Sequence, residues 1–250
     1  MLAHVEFGQK AVQASPETQS AILQALGAAA SKIHAAADDD DDLMAPALGL
    51  ALNLLRLSPA SLCESESALS ALWDLALAPL LAGYGATASV ESRESALDLL
   101  RFLVQLGTEA RDDLHLSDEE KANAARWRAN IAASVRPRMA PLLAGLLSAI
   151  AHAAPPSAVQ PTALLVHALG HALPTAFCDA VPPALAQLSD VLAAARRAQP
   201  PPKAMELMQS ALLSQGSKRQ PAELCVALCT DFAQVVRAGM SVRALERYGK

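Results

Sequence analysis

Aromatic side chains are scarce in this 250-residue chain: two tryptophans, two tyrosines and four phenylalanines, 3% in all. Charged residues amount to only 18%, with four cysteines and 11 glycines. A shortage of aromatic and β-branched residues disfavours strands, whose pleated faces such side chains fill. The cysteines, Cys63, Cys178, Cys225 and Cys229, lie singly in or beside apolar helical patterns. They exclude a disulfide framework and read as reduced intracellular thiols. No apolar run reaches the ~20 clean residues of a membrane span; the longest, Met139–Ala154, is broken by Pro141, Ser148 and His152. Positive charge is also short. The net charge is −5 and no long basic stripe follows any expected helix, which excludes nucleic-acid binding driven by phosphate neutralisation. Met1–Lys10 has no basic segment leading into an apolar core, so no secretory leader is expected and the expected compartment is cytosol or nucleus.

What the chain has in quantity is alanine, about a fifth of all residues, with leucine close behind and a hydrophobic fraction of 52%. This composition favours helix and supplies ample apolar surface for a core. After Pro16, the positions Ile22, Leu23, Leu26, Ala29, Ala30 and Ile33 mark one helix face over Thr18–Ala36. Five consecutive like charges, Asp38, Asp39, Asp40, Asp41 and Asp42, repel one another, so 37–42 is expected to be a solvated acidic loop. Helices are expected over Leu43–Leu57, ended by Ser58-Pro59, over Ser67–Leu81, and over Glu91–Leu106. Gly83-Tyr84-Gly85 is the turn between the last two, and Gly107 suits a C-cap. Ser117 with Glu120 forms a capping box for a helix from Asp118 to Ala153, kinked or split at Pro137 and Pro141. Pro155-Pro156 closes it. Pro161–Leu173 and Thr175–Arg197 follow, the latter with Pro182-Pro183 as a kink or fresh start. A stiff proline-rich connector is expected over 198–203. Met205–Leu213, Pro221–Ala238 and Ser241–Tyr248 complete the helices.

Roughly eleven helices thus succeed one another with no convincing strand, pairing at about 40–50 residues, the period of HEAT and armadillo units. Several are apolar over more than half their circumference, which suits elements packed on two sides. The expected fold is all-α: a right-handed α-solenoid of HEAT/armadillo-like helix pairs, one array over 1–250. A compact helical bundle is the structural competitor.

No motif points to catalysis. The chain has no G-x-S-x-G elbow, P-loop or G-x-G-x-x-G. His167 and His171, four apart on a helix, have the spacing of a zinc pair, but residue 168 is Ala where H-E-x-x-H carries its general base. They read as two histidines on a helix rim; a helical metalloenzyme using them is the rival from another class. Cys225 and Cys229 lack the tight C-x-x-C geometry and read as thiols packed in a repeat interior. Two charged features suit protein binding. Asp38–Asp42 could steer a basic segment, against the plainer reading of a solubilising loop. Arg126, Arg128, Arg136 and Arg138 form the other cluster. On an unbroken helix Arg128 and Arg136 lie roughly 80° apart and could take an acidic or phosphorylated ligand, against the plainer reading of a solvated face.

Several stretches, in order, resemble a known family. They are Val5-Glu6-Phe7-Gly8 followed by Ile22–Ala29, and Leu50–Leu62 with its Ser-Pro step. Next comes Trp73 through Gly107, including Leu99-Leu100-Arg101-Phe102-Leu103. Pro155-Pro156, Thr175-Ala176-Phe177-Cys178 and Thr230-Asp231-Phe232 to Tyr248 complete the series. Together they resemble the C-terminal third of the transportin-SR branch of the importin-β superfamily, across nearly the whole chain. The high alanine content, the Asp38–Asp42 run and the shorter, less aromatic final residues depart from that pattern. The resemblance implies a non-enzymatic HEAT-repeat segment of a nuclear transport receptor, working in cytoplasm and nucleus without cofactor or metal. Its implied partners are protein cargo, typically arginine-serine-rich splicing factors, and the GTPase Ran acting through the full-length receptor, with no direct nucleic acid and no membrane. It further implies that the main Ran-binding repeats and the helix reading phosphorylated cargo lie upstream, so that Met1 falls inside a repeat and the chain is a segment of a longer solenoid. A solenoid cut mid-array exposes an apolar face, so some self-association is expected. The alternative is a generic armadillo/HEAT scaffold with no transport role.

Overall fold

A computed structural model describes residues 44–57, 59–81, 90–108, 117–153, 156–194, 197–218 and 220–248, with Thr18, Ala21, Ile22 and Ala25, all four helical, as isolated positions. Among the described residues there is no strand, and the architecture is all-α, with helices packed against one another as in a helical-repeat fold. The chain divides into two compact units, 1–78 with 95–136 and 79–94 with 137–250. The expected turn at Gly83-Tyr84-Gly85 and the acidic loop Asp38–Asp42 lie outside the described residues.

The first unit is built from α1 (Met44–Leu57), α2 (Pro59–Glu64), α3 (Glu66–Leu81, as far as Ala78), α4 (Val90–Thr108, from Ser95) and α5 (Asp118–Val135). Helix α1 ends at Leu57 and α2 opens on Pro59, whose fixed φ suits a first helical position. Leu48, Ala51, Leu52 and Leu55 line the buried face of α1, and Leu99, Leu100 and Leu103 that of α4. The α5 N-terminus is the expected capping box: Ser117 Oγ accepts from the Glu120 amide at 3.3 Å and Glu120 Oε2 accepts from the Ser117 amide at 2.8 Å. Gly107 is not the expected C-cap, since α4 runs on through Thr108. A Cβ at 107 would come within 2.8 Å of Ile131 Cγ2, so the glycine serves close packing of α4 on α5.

The second unit holds the remainder of the expected Asp118–Ala153 helix and the segments after it. That helix is split: a 3₁₀ turn at Arg136–Arg138 carries Pro137, and α6 (Met139–Ser148) has Pro141 in its first turn, where a missing amide costs nothing. The last turn of α6 widens into a π turn, Ala149–Ala153. There follow α7 (Val159–Ala172), α8 (Pro174–Ala194), α9 (Pro202–Lys218) and α10 (Ala222–Ala238). Helix α6 is buried on all sides, with Leu142, Leu143, Ala144, Leu146 and Leu147 enclosed. Helix α8 packs mainly on α6 and α9, while α10 packs on α7 and on the π turn.

Three expectations are corrected here. Helix α8 continues through Pro182-Pro183 without a fresh start, and both prolines are solvent-exposed. The connector over 198–203 ends at Pro201, because Pro202 is already preset for a helix start. Ser241–Tyr248 is not a helix but a 3₁₀ turn, Val242–Leu245, with a further i→i+3 bond from the Tyr248 amide to the Leu245 carbonyl. Its two buried side chains, Leu245 and Tyr248, are three apart, and three residues per turn brings them to one side.

Candidate functional site

The sequence singles out arginines on and after α5, and in the first unit their surroundings follow from how α5 is seated. Asn130 Nδ2 donates to the Cys63 carbonyl at 3.0 Å, satisfying an orphan group at the C-terminus of α2. Trp73 on α3, wholly buried, donates through Nε1 to Ser134 Oγ at 2.9 Å, and Ser134 in turn donates to the Ile131 carbonyl at 2.8 Å. One face of α5 is thereby committed to α2 and α3. Arg126 is exposed, and its Nη2 bonds Glu64 at 2.9 Å and Asn123 at 2.7 Å. Arg128 is half-buried, while Arg136 is exposed. Arg136 keeps helical dihedrals and donates its amide to the Ala132 carbonyl, so the expected register between Arg128 and Arg136 is preserved. Arg138 is half-buried and belongs to the second unit. Of the four, Arg126 and Arg136 are exposed, Arg126 within its ion pair to Glu64.

Asp38, Asp39, Asp40, Asp41 and Asp42, the other candidate, lie outside the described residues.

The histidine pair resolves into a structural fastening. The rings of His167 and His171 lie 6.0 Å apart, but His167 Nε2 meets the Gln220 carbonyl at 3.1 Å. A carbonyl only accepts, so Nε2 carries the proton. Gln215, buried, donates to the same carbonyl at 3.1 Å. These two bonds hold the segment between α9 and α10. No group of three or more metal-ligating side chains occurs among the described residues.

The thiols are enclosed. Cys225 donates to the Ala163 carbonyl at 3.5 Å. Cys229 beside it is held well above the ordinary thiol range by its hydrogen bond with Cys225 and by burial. Cys63 is pushed up to about 12, by burial first and then by the charge of Glu64. All three are wholly buried. Inert packed thiols of this kind are poor nucleophiles.

Sequence reasoning did not find the densest polar contact of the second unit. Arg237, in the last turn of α10, donates from Nε to the carbonyls of Ile150 (3.1 Å) and Ala151 (2.9 Å). Its Nη2 donates to Ala149 (3.1 Å) and Ile150 (2.7 Å). One guanidinium thus serves three consecutive carbonyls of the π turn, which a widened helix end leaves short of donors. The only signal in the sequence was a cation near a helix C-terminus.

No protein-family model matches the chain, and neither a curated protein nor a solved structure does. The fold and its residues define an all-α protein of stacked helices.

Proposed function

We propose that this chain is a segment of a nuclear transport receptor of the importin-β superfamily, transportin-SR type. It contributes a helical-repeat surface for protein cargo, such as arginine-serine-rich splicing factors, whose release Ran in its GTP form controls through the whole receptor. The observation that carries the reading is the order of the motifs along the chain, together with the work their residues do in the packing. In the arginine-phenylalanine-leucine helix, Leu99, Leu100 and Leu103 are buried, and the Arg56 guanidinium of the Ser-Pro helix lies 5.6 Å from the Phe102 ring centre. Phe177 of Thr175-Ala176-Phe177-Cys178 is wholly buried. In the closing motif Phe232 is wholly buried, and Tyr248 donates to Asp231 at 2.8 Å, joining the two ends of that motif. Among the described residues, no helix is long and apolar enough to cross a membrane.

The test is titration of a fluorescently labelled arginine-serine-rich splicing-factor domain with the receptor that carries this segment, with and without GTP-loaded Ran. The reading expects saturable binding that GTP-loaded Ran abolishes and GDP-loaded Ran leaves unchanged. Absence of cargo binding, or binding indifferent to Ran, refutes transport and leaves a helical scaffold.

A further inference from the structure

Helix α10 ends at Gly239 in the left-handed region, φ 64°, a conformation that favours glycine. Beyond it, residues 240–248 pass over α9 and α10 as a strap. Around its 3₁₀ turn the strap's backbone makes local bonds, Ala244 to Ser241, Glu246 to Arg243 and Tyr248 to Leu245, each 3.2 Å, and beside Gly239 the Met240 amide bonds the Gln234 carbonyl of α10 at 3.4 Å. Two side chains seat it, Leu245, wholly buried, and Tyr248, nearly so. One carboxylate latches it. Asp231 Oδ2 on α10 accepts from Arg247 Nη2 and from the Tyr248 hydroxyl, and the Arg247 guanidinium stacks 4.8 Å from the centre of the Tyr248 ring. Both side-chain bonds from the strap to α10 therefore end on a single oxygen. The contacts that seat α10 itself, against α7 and through Arg237 on the π turn, involve no strap residue.

We propose that the strap is an exchangeable arm: it leaves its seat on α9 and α10 and is taken up by the same seat on a second copy of this chain, giving a dimer by reciprocal exchange. The seat offers an apolar bed beside one acidic oxygen, and the segment that matches both is the strap, with Leu245 and Tyr248 for the bed and Arg247 for the charge. A second copy carries that same segment. Exchange remakes every contact it breaks, so concentration and the hinge at Gly239 set the balance between the closed monomer and the exchanged dimer. Few backbone bonds and one shared latch make this segment open at a lower cost than the helices it covers. The inference does not rest on the transport reading.

Charge reversal tests it on the full chain. In Asp231→Arg the strap meets like charge in its own seat, and the same holds in Arg247→Asp. Mixed in equal amounts, the two variants present opposite charges in both seats only if the straps are exchanged. Each variant alone is expected to be monomeric by sedimentation velocity, with strap amides exchanging hydrogen about tenfold faster than in the wild type. The mixture is expected to give a one-to-one dimer in which strap protection returns. A mixture that stays monomeric, while each variant keeps its helical circular dichroism, overturns the proposal. If Asp231→Arg loses helical structure, a wild-type concentration series decides, read with Tyr248→Phe, which alters the latch and leaves Leu245 seated. Dimer growing with concentration, in which strap amides of an isotope-labelled copy are protected by an unlabelled one, supports exchange. A wild type that remains monomeric throughout, or a strap whose hydrogen exchange Tyr248→Phe does not change, sinks it.

Discussion

Arg237 carries a single-residue polar clamp whose contribution to the second unit's stability can be worked out from its contacts. Its guanidinium makes four hydrogen bonds to the carbonyls of Ala149, Ile150 and Ala151, tying α10 to a turn 86 to 88 residues earlier in the chain. The bonds are shared in pairs on Nε and Nη2, so they are better counted as two good charge-assisted bonds than as four. At ~1.5 kcal/mol net apiece, discounted for a half-buried side chain, they contribute about 2–3 kcal/mol. Arg237→Met keeps the apolar stem and removes the donors, and it should cost that amount, lowering the midpoint of thermal unfolding by roughly 5–10 °C. Arg237→Lys is the sharper comparison. It keeps the charge, but one ammonium on a flexible stem does not reproduce a planar fork spanning three carbonyls, so it should recover less than half the loss. Urea denaturation followed by circular dichroism measures both. If lysine restores wild-type stability, the contribution is charge at a helix end rather than the fork. If methionine costs under ~0.5 kcal/mol, the clamp contributes nothing that water does not replace.

Three further outcomes follow from the same packing. Cys63 has its folded pKa raised from 9.0 to about 12, so the unfolded chain ionises first. The stability it contributes is full below pH 9 and falls as pH rises toward 12; native protein should therefore resist a thiol reagent at pH 8, and Cys63→Ala should flatten the alkaline decline. Ser148 is wholly buried, with no hydrogen-bond partner for its hydroxyl among the described residues. Ser148→Ala removes an uncompensated polar group and should be neutral or stabilising by about 1 kcal/mol, whereas a loss of more than that in urea would mean the hydroxyl is satisfied. Asn130→Ala strips the cap from the Cys63 carbonyl and should cost ~1–2 kcal/mol, with amides of α2 exchanging hydrogen faster than those of α3.

What was legible in the sequence was what local chemistry decides. Alanine and leucine content pointed to the helical class, the Ser117–Glu120 pair opened α5, and Pro59 stands at the start of α2, because caps and prolines act through neighbours a few residues away. Errors gathered where a distant contact outweighed local preference. Gly107 looked like a C-cap, yet Ile131, across the packing of α4 on α5, is what requires a residue without a side chain there. Pro182-Pro183 read as a kink or a fresh start, and the helix is continuous with both prolines toward solvent. Arg126 read as part of a binding cluster, and Glu64, 62 residues earlier, had already engaged it. His167 read as a histidine on a helix rim, and what the spacing did not show is the carbonyl 53 residues later that accepts its hydrogen bond. The same logic explains why the Arg237 clamp was invisible: its acceptors are backbone carbonyls freed by a π turn, and backbone carbonyls leave no mark in a sequence. A polar side chain on an alanine-rich helix therefore says little about ligands until its long-range backbone partners are known. Such partners account for Asn130, His167 and Arg237, and among the described arginines of α5 and the turn after it Arg136 is exposed to solvent.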